Sequence, residues 1–339
     1  MTDVFIIDSS LRDGSHAIRH QLDRRQIESY CAAAETAGVP IVMVGHGNGL
    51  GASSLQVGES LLTDQEMIAC ARGKLSRSKL GVFIIPGFGT INKDLGPAIE
   101  QGVDVVCVSS HCTEADTTQR HINYVKEKGK LAYGNLMMTH MVSKEILIDE
   151  CLKMQSYDVD GVIIMDSAGA YITADVKERI AALAGALKIP VGFHAHNNLG
   201  LAIANSVAAI EAGATILDCC ILGFGAGAGN TQMEAVVAIL NKMGYKTGID
   251  LYKILDLADM AAKELFTSAK GIKSISIVSG LAGVFSGFVR HVERVSLQYG
   301  VDAKDVFFEL GRRKAVGGQE DMIVEVAISL VDKQREKRQ

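Results

Sequence analysis

Eight short apolar runs, each followed by residues that are apolar at helical spacing, constrain this chain more than any other feature. They are VFIID (4–8), PIVMVG (40–45), KLGVFIIP (79–86), VDVVCVS (103–109), KLAYGNLMM (130–138), DGVIIMD (160–166), IPVGFHAH (189–196) and ATILDCCIL (214–222). Continuous runs of this kind suit strands buried on both faces, the environment of a parallel sheet. Between them, sets such as Ile27, Tyr30, Cys31, Ala34 and Ile203, Val207, Ile210 mark helix faces. Eight strand–helix units in about 245 residues predict a (β/α)8 TIM barrel of the α/β class. A doubly wound open sheet shows the same alternation. The polar residues favour the barrel, because they cluster just after the runs: Asp8 to His16, His46, Ser109 to His111, Thr139 and His140, Asp166 and Ser167, His194 and His196. Barrel enzymes build their sites on that rim.

The alternation stops near residue 245. Residues 251–266 read as an amphipathic helix, and 282–298, 304–313 and 320–333 give further helical patterns. The expected organisation is a barrel over 1–245, a helical C-terminal domain over 246–333 and a frayed, solvated tail over 334–339. A net charge of −5 without a clustered basic patch argues against a nucleic-acid partner. No apolar run reaches the roughly 18 residues that span a bilayer, and the N-terminus lacks the pattern of a secretory signal. Seven cysteines without CxxC spacing fit a reducing, cytoplasmic setting.

Two segments carry the chemistry. In FHAHNN, His194 and His196 are two apart at a strand end, so their imidazoles share a face and can chelate an ion. A carboxylate from strand 1, Asp13 first and Asp8 second, would complete a set that suits Mn²⁺, Fe²⁺, Co²⁺ or Zn²⁺. In LRDGSHAIRH, Arg12 has a fixed charge that can stabilise an oxyanion, and His16 can take a proton near neutral pH. The combination suggests an enolate held by a metal and an arginine while a histidine moves a proton. The bland reading of that segment is a loop of solvated charges. His20 reads as structural. GFGAGAGNTQ (223–232) opens a helix and could cradle a phosphate, but it lacks the lysine and spacing of a P-loop, so close packing explains it as well. GHGNGLG (45–51) matches a dinucleotide fingerprint only loosely.

DSSLRDGSHAIRH, HCTEAD (111–116), FHAHNNLGLAIANS, GFGAGAGNTQMEA and VGGQEDMIVEVA (316–327) together resemble the 4-hydroxy-2-oxovalerate aldolases, pyruvate aldolases of the DRE-TIM metallolyase group. The resemblance implies that Asp13, His194 and His196 hold a divalent metal, usually Mn²⁺, and that Arg12 stabilises a pyruvate enolate. It implies that His16 takes the proton of the C4 hydroxyl and that Ser167 contacts the substrate, a 4-hydroxy-2-oxo acid that also meets Arg12, Asp13 and His194. It further implies that the helical end docks an acylating aldehyde dehydrogenase, with Gly317 and Gly318 in the segment through which the aldehyde passes. An acetyl-CoA-dependent synthase of the same group, and a weakly catalytic scaffold for a dehydrogenase, are the alternatives. Two positions depart from the family pattern. Phe285 stands where a tyrosine is usual, and Met43 where a glutamate would orient the arginine.

Overall fold

The computed structural model describes residues 3–266 and 271–336. Strands and helices alternate as β1 (Phe5–Leu11), α1 (Arg24–Ala37), β2 (Ile41–Val44), α2 (Asp64–Arg72), β3 (Lys79–Ile84), α3 (Gly96–Glu100), β4 (Val105–His111), α4 (Gln119–Glu127), β5 (Leu131–Met137), α5 (Lys144–Ser156), β6 (Gly161–Asp166), α6 (Thr173–Ala186), β7 (Val191–Ala195), α7 (Ala202–Glu211), β8 (Ile216–Cys219) and α8 (Met233–Lys242). Every strand pairs in parallel with the next, and β1 closes on β8. All eight apolar runs supply a strand. Local signals set the helix ends: Asp23 and Gln26 form a capping box before α1, and Gly38 ends it in the left-handed conformation (φ +77°).

Alternate strand residues divide into two apolar layers. Ile7, Ile41, Met43, Phe83, Val105, Cys107, Tyr133, Ile163, Met165 and Ile216 fill the barrel interior, and their neighbours face the helices in a larger core. On α1 the buried face is the expected Ile27, Tyr30, Cys31 and Ala34. On α7 the expected Ile203 and Val207 are only half-buried, and Ala202, Asn205, Ser206 and Ala209 pack inward instead. Small residues bring that helix close to the sheet, which a reading weighted by hydrophobicity overlooks. All seven cysteines are buried and unpaired.

Residues 246–266, assigned from the sequence to the C-terminal part, pack with the barrel. The helix α9 (Leu251–Glu264) buries Ile254, Leu257, Ala258 and Ala261 in the same core as α1. A separate core lies between α10 (Ser274–Ala282), α11 (Val289–Tyr299), α12 (Ala303–Arg312) and α13 (Asp321–Glu336), around Val292, Val306, Phe307, Leu310, Ile323 and Val326. The pattern over 282–298 is therefore not one helix: Gly283 turns left-handed (φ +64°) and ends α10. Residues 334–336, read as tail, continue α13, where Lys333 and Arg335 suit the negative helix end; residues 337–339 lie outside those described. No helix among the described residues is long and apolar enough to cross a membrane.

The C-terminal helices sit over the rim of the barrel. Asn198 donates to the Ser276 carbonyl at 3.1 Å and accepts from the Ser286 hydroxyl at 2.9 Å. The Ser286 amide donates to the Ser167 carbonyl at 3.3 Å, and His140 Nε2 lies 3.0 Å from the Gly283 carbonyl.

Candidate active site

The site begins with an irregularity in β1. Asp8 pairs with Val42 and Leu11 with Val44, three steps on one strand against two on the other. Such a bulge bends a strand and re-aims the residues after it. The next residue, Arg12, is buried and held from several elements. Nη1 donates to Asp13 Oδ2 at 2.9 Å and to the Gly47 carbonyl at 3.3 Å. Nη2 donates to Ser9 Oγ at 3.1 Å and to Asp218 Oδ2 at 3.5 Å. Its guanidinium lies 4.4 Å over the centre of the Phe83 ring. Nε is buried and has no partner among the described residues.

Asp13, His194 and His196 converge, their ligand atoms all within 4.8 Å of one another. The two Nε2 atoms are 3.4 Å apart, as the shared strand face requires. Burial works against ionising Asp13, but the Arg12 guanidinium beside it and the neighbouring histidines hold its carboxyl well below the usual range. Burial pushes His196 down to about 3, leaving a neutral imidazole with a lone pair to offer. Two residues that the sequence reading missed support this set. Asp218 on β8 lies 3.3 Å from His194 Nδ1, and Asn230 donates to Asp13 Oδ1 at 2.7 Å. Asn230 Oδ1 is buried without a partner among the described residues. Two buried carboxylates, Asp13 and Asp218, face a single guanidinium, so the pocket favours an added cation. The donor set, one carboxylate and two imidazoles, fits a divalent transition metal. Asp8, the second choice of ligand, is elsewhere. It accepts from the Ser10 amide at 2.9 Å, the Ser10 hydroxyl and the Tyr30 hydroxyl at 2.6 Å, and burial pushes its carboxyl up to about 6.

The glycine-rich segment 223–232 serves packing. Cβ atoms at Gly225 and Gly229 would overlap Asn230 and the Gly223 carbonyl, so the glycines let the loop close and deliver Asn230 to Asp13.

His16 stands beside the triad in a group of three rings. Its centroid is 4.7 Å from His20 and 6.2 Å from His46, and His20 and His46 stack at 3.7 Å. His46 Nδ1 accepts from the Asn48 amide at 3.0 Å while Nε2 faces the Gly58 carbonyl at 3.0 Å, which fixes it neutral with the proton on Nε2. Burial lowers the His16 pKa despite the nearby Asp13, so the ring is a free base at neutral pH.

One cavity of about 380 Å³ joins these groups. Arg12, Asp13, His16 and His196 form its inner wall, with Ser167, Met137, Met138 and Met165 beside them. Phe83, Ile85, Pro86 and Phe88 form another side, and Phe285, Val316, Gly317 and Gly318 of the C-terminal part close it over. Ser167 Oγ accepts from the Met138 amide at 3.0 Å, which leaves its hydrogen for another partner. The Phe285 ring lies between Gly287 and Gly317. Met43 turns into the barrel interior over Gly81, where a Cβ would overlap its sulfur. Arg12 is thus oriented without a carboxylate from β2: Asp13, Ser9, Asp218, the Gly47 carbonyl and Phe83 do that work.

Residues 3–261 match the HMGL-like family model, and residues 271–332 match the DmpG-like communication domain. A 4-hydroxy-2-oxovalerate aldolase of Pectobacterium atrosepticum is 57% identical over 96% of this chain and 95% of its own length. The aldolase of Spirochaeta aurantia is also 57% identical, over 95% of both chains. The chain belongs to the 4-hydroxy-2-oxovalerate aldolase family. Another aldolase of this family, from Geobacillus thermodenitrificans, is 46% identical over 98% of this chain and 96% of its own. Among solved structures, the carboxyl transferase domain of Rhizobium etli pyruvate carboxylase superposes with a TM-score of 0.81 at 14% identity, over 98% of this chain and 61% of that one. At that identity the likeness shows the barrel fold alone. The relatives favour an aldolase over the acetyl-CoA-dependent alternative.

Proposed function

We propose that this aldolase cleaves 4-hydroxy-2-oxopentanoate, or a longer 4-hydroxy-2-oxo acid, to pyruvate and an aldehyde, with Asp13, His194 and His196 holding Mn²⁺. The observation that carries the reading is that this donor set lies at a cavity which Asp13 and His196 line together with Arg12 and His16. A metal held there would supply Lewis-acid chemistry at the 2-oxo acid end of the substrate. Arg12, fixed by its contacts, stabilises the negative charge that develops on the C2 oxygen. His16 accepts the proton of the C4 hydroxyl, the C3–C4 bond breaks, and the bonding pair passes into the enolate of pyruvate while C4 leaves as the aldehyde. Protonation at C3 then gives pyruvate. Ser167 donates to the substrate. The match to a communication domain supports an aldehyde dehydrogenase that docks on the C-terminal helices and receives the aldehyde past Gly317 and Gly318.

The test is pyruvate release from racemic 4-hydroxy-2-oxopentanoate by the purified protein with Mn²⁺, repeated after chelation. Release that chelation abolishes and Mn²⁺ restores is the expected result. Release that persists unchanged after verified metal removal would overturn the metal-dependent mechanism.

A further inference from the structure

Gly47 lies just past β2, lines the cavity and touches the histidine group, its amide donating to His20 Nδ1 at 3.4 Å. A Cβ built there would overlap three atoms of the His16 ring, Nε2, Cδ2 and Cε1, the most distant of them at 2.6 Å. The overlap cannot be relieved by bending a flexible chain end, because His16 is a rigid ring with His20 against it at 4.7 Å. Gly47 has no left-handed backbone that would require glycine; the need is for space. Its carbonyl accepts from Arg12 Nη1 at 3.3 Å, so the same residue touches both Arg12 and His16.

We infer that Gly47 is a positioning residue that seats the His16 base against the bound substrate while its carbonyl steadies Arg12. The inference rests on the aldolase reading above. A methyl group at this position displaces the imidazole and leaves the carbonyl and the Asp13, His194 and His196 set in place. A displacement of about 1 Å costs on the order of 100-fold in rate. The effect belongs to the step that needs a base. Decarboxylation of oxaloacetate makes the same pyruvate enolate by losing CO₂ from C3 and has no hydroxyl proton to remove.

The experiment compares wild type, Gly47→Ala, His16→Ala and the double variant, each loaded with Mn²⁺ and assayed for aldol cleavage and for oxaloacetate decarboxylation, with bound metal measured. For Gly47→Ala the expected result is a fall in kcat for cleavage on the order of 100-fold, with decarboxylation and bound Mn²⁺ kept within a few-fold of wild type. The double variant should be no slower than His16→Ala, since a residue that acts through His16 has nothing left to position. Equal losses in both reactions, a double variant far below His16→Ala, or unimpaired cleavage by Gly47→Ala would each overturn the inference. Wild type that decarboxylates but never cleaves any 4-hydroxy-2-oxo acid would instead remove the aldolase reading, and the role of Gly47 with it.

Discussion

The inner and outer walls of the cavity are built on different principles. On the inner wall, Arg12 is tied to Asp13, Ser9, Gly47 and Asp218, and Asp13 is tied in turn to Asn230. These partners come from β1, β8 and the loops after β1, β2 and β8, so the network joins several elements. The outer wall of Ile85, Phe88, Phe285 and Val316 meets its neighbours through non-directional contacts. A hydrogen-bonded cluster in a low-dielectric site specifies one geometry, whereas an apolar surface specifies only a shape. On the proposed reading, the inner wall sets the reaction and the outer wall sets which aldehyde leaves.

Substitutions along this divide test it. The largest expected effect is from Asp13→Ala, which should lose bound metal and drop pyruvate release to background; metal content and activity read on the same sample check this, and full metal retention would break the assignment. Next, His16→Ala should lower cleavage by about 10²- to 10⁴-fold with metal content unchanged. Asp218→Asn weakens the support behind His194 and should cost about 10- to 100-fold in Mn²⁺ affinity or activity, measured by metal titration. On the outer wall, Phe285→Tyr should leave Mn²⁺ affinity unchanged and alter the ratio of kcat/KM between short- and long-chain substrates by less than about tenfold, the scale of one added group in an apolar pocket. A change in metal affinity there would blur the distinction between the walls. The smallest effect to resolve is in pH. Burial lowers the His16 pKa, so its basic form persists to lower pH, and the acid limb of kcat/KM should fall below the ordinary histidine value of about 6.5.

The same contrast explains what was legible in the sequence. The strands announced themselves because burial on both faces demands unbroken apolar runs. His194 and His196 were legible because strand geometry ties spacing to direction. Asp218 and Asn230 were not, because their partners are distant in sequence: Arg12 lies 206 residues before Asp218, and Asp13 lies 217 before Asn230. A signal for Asp218 existed all the same, a carboxylate inside the apolar run ATILDCCIL. The boundary of the C-terminal part was hidden for a related reason. An amphipathic helix shows that it has a buried face but not which core receives it, and α9 chose the barrel. Met43 raised the question of what orients Arg12, and only the assembled network answers it.

Asn198 carries one more consequence. It stands two residues beyond His196, and its side-chain amide is bonded at one end to Ser276 and at the other to Ser286. The C-terminal helices are thereby tied to the loop that bears His196, one of the candidate metal ligands, without crossing the barrel wall. The amide acts as a bracket: two hydrogen bonds join an outer surface to the loop beside the candidate metal set.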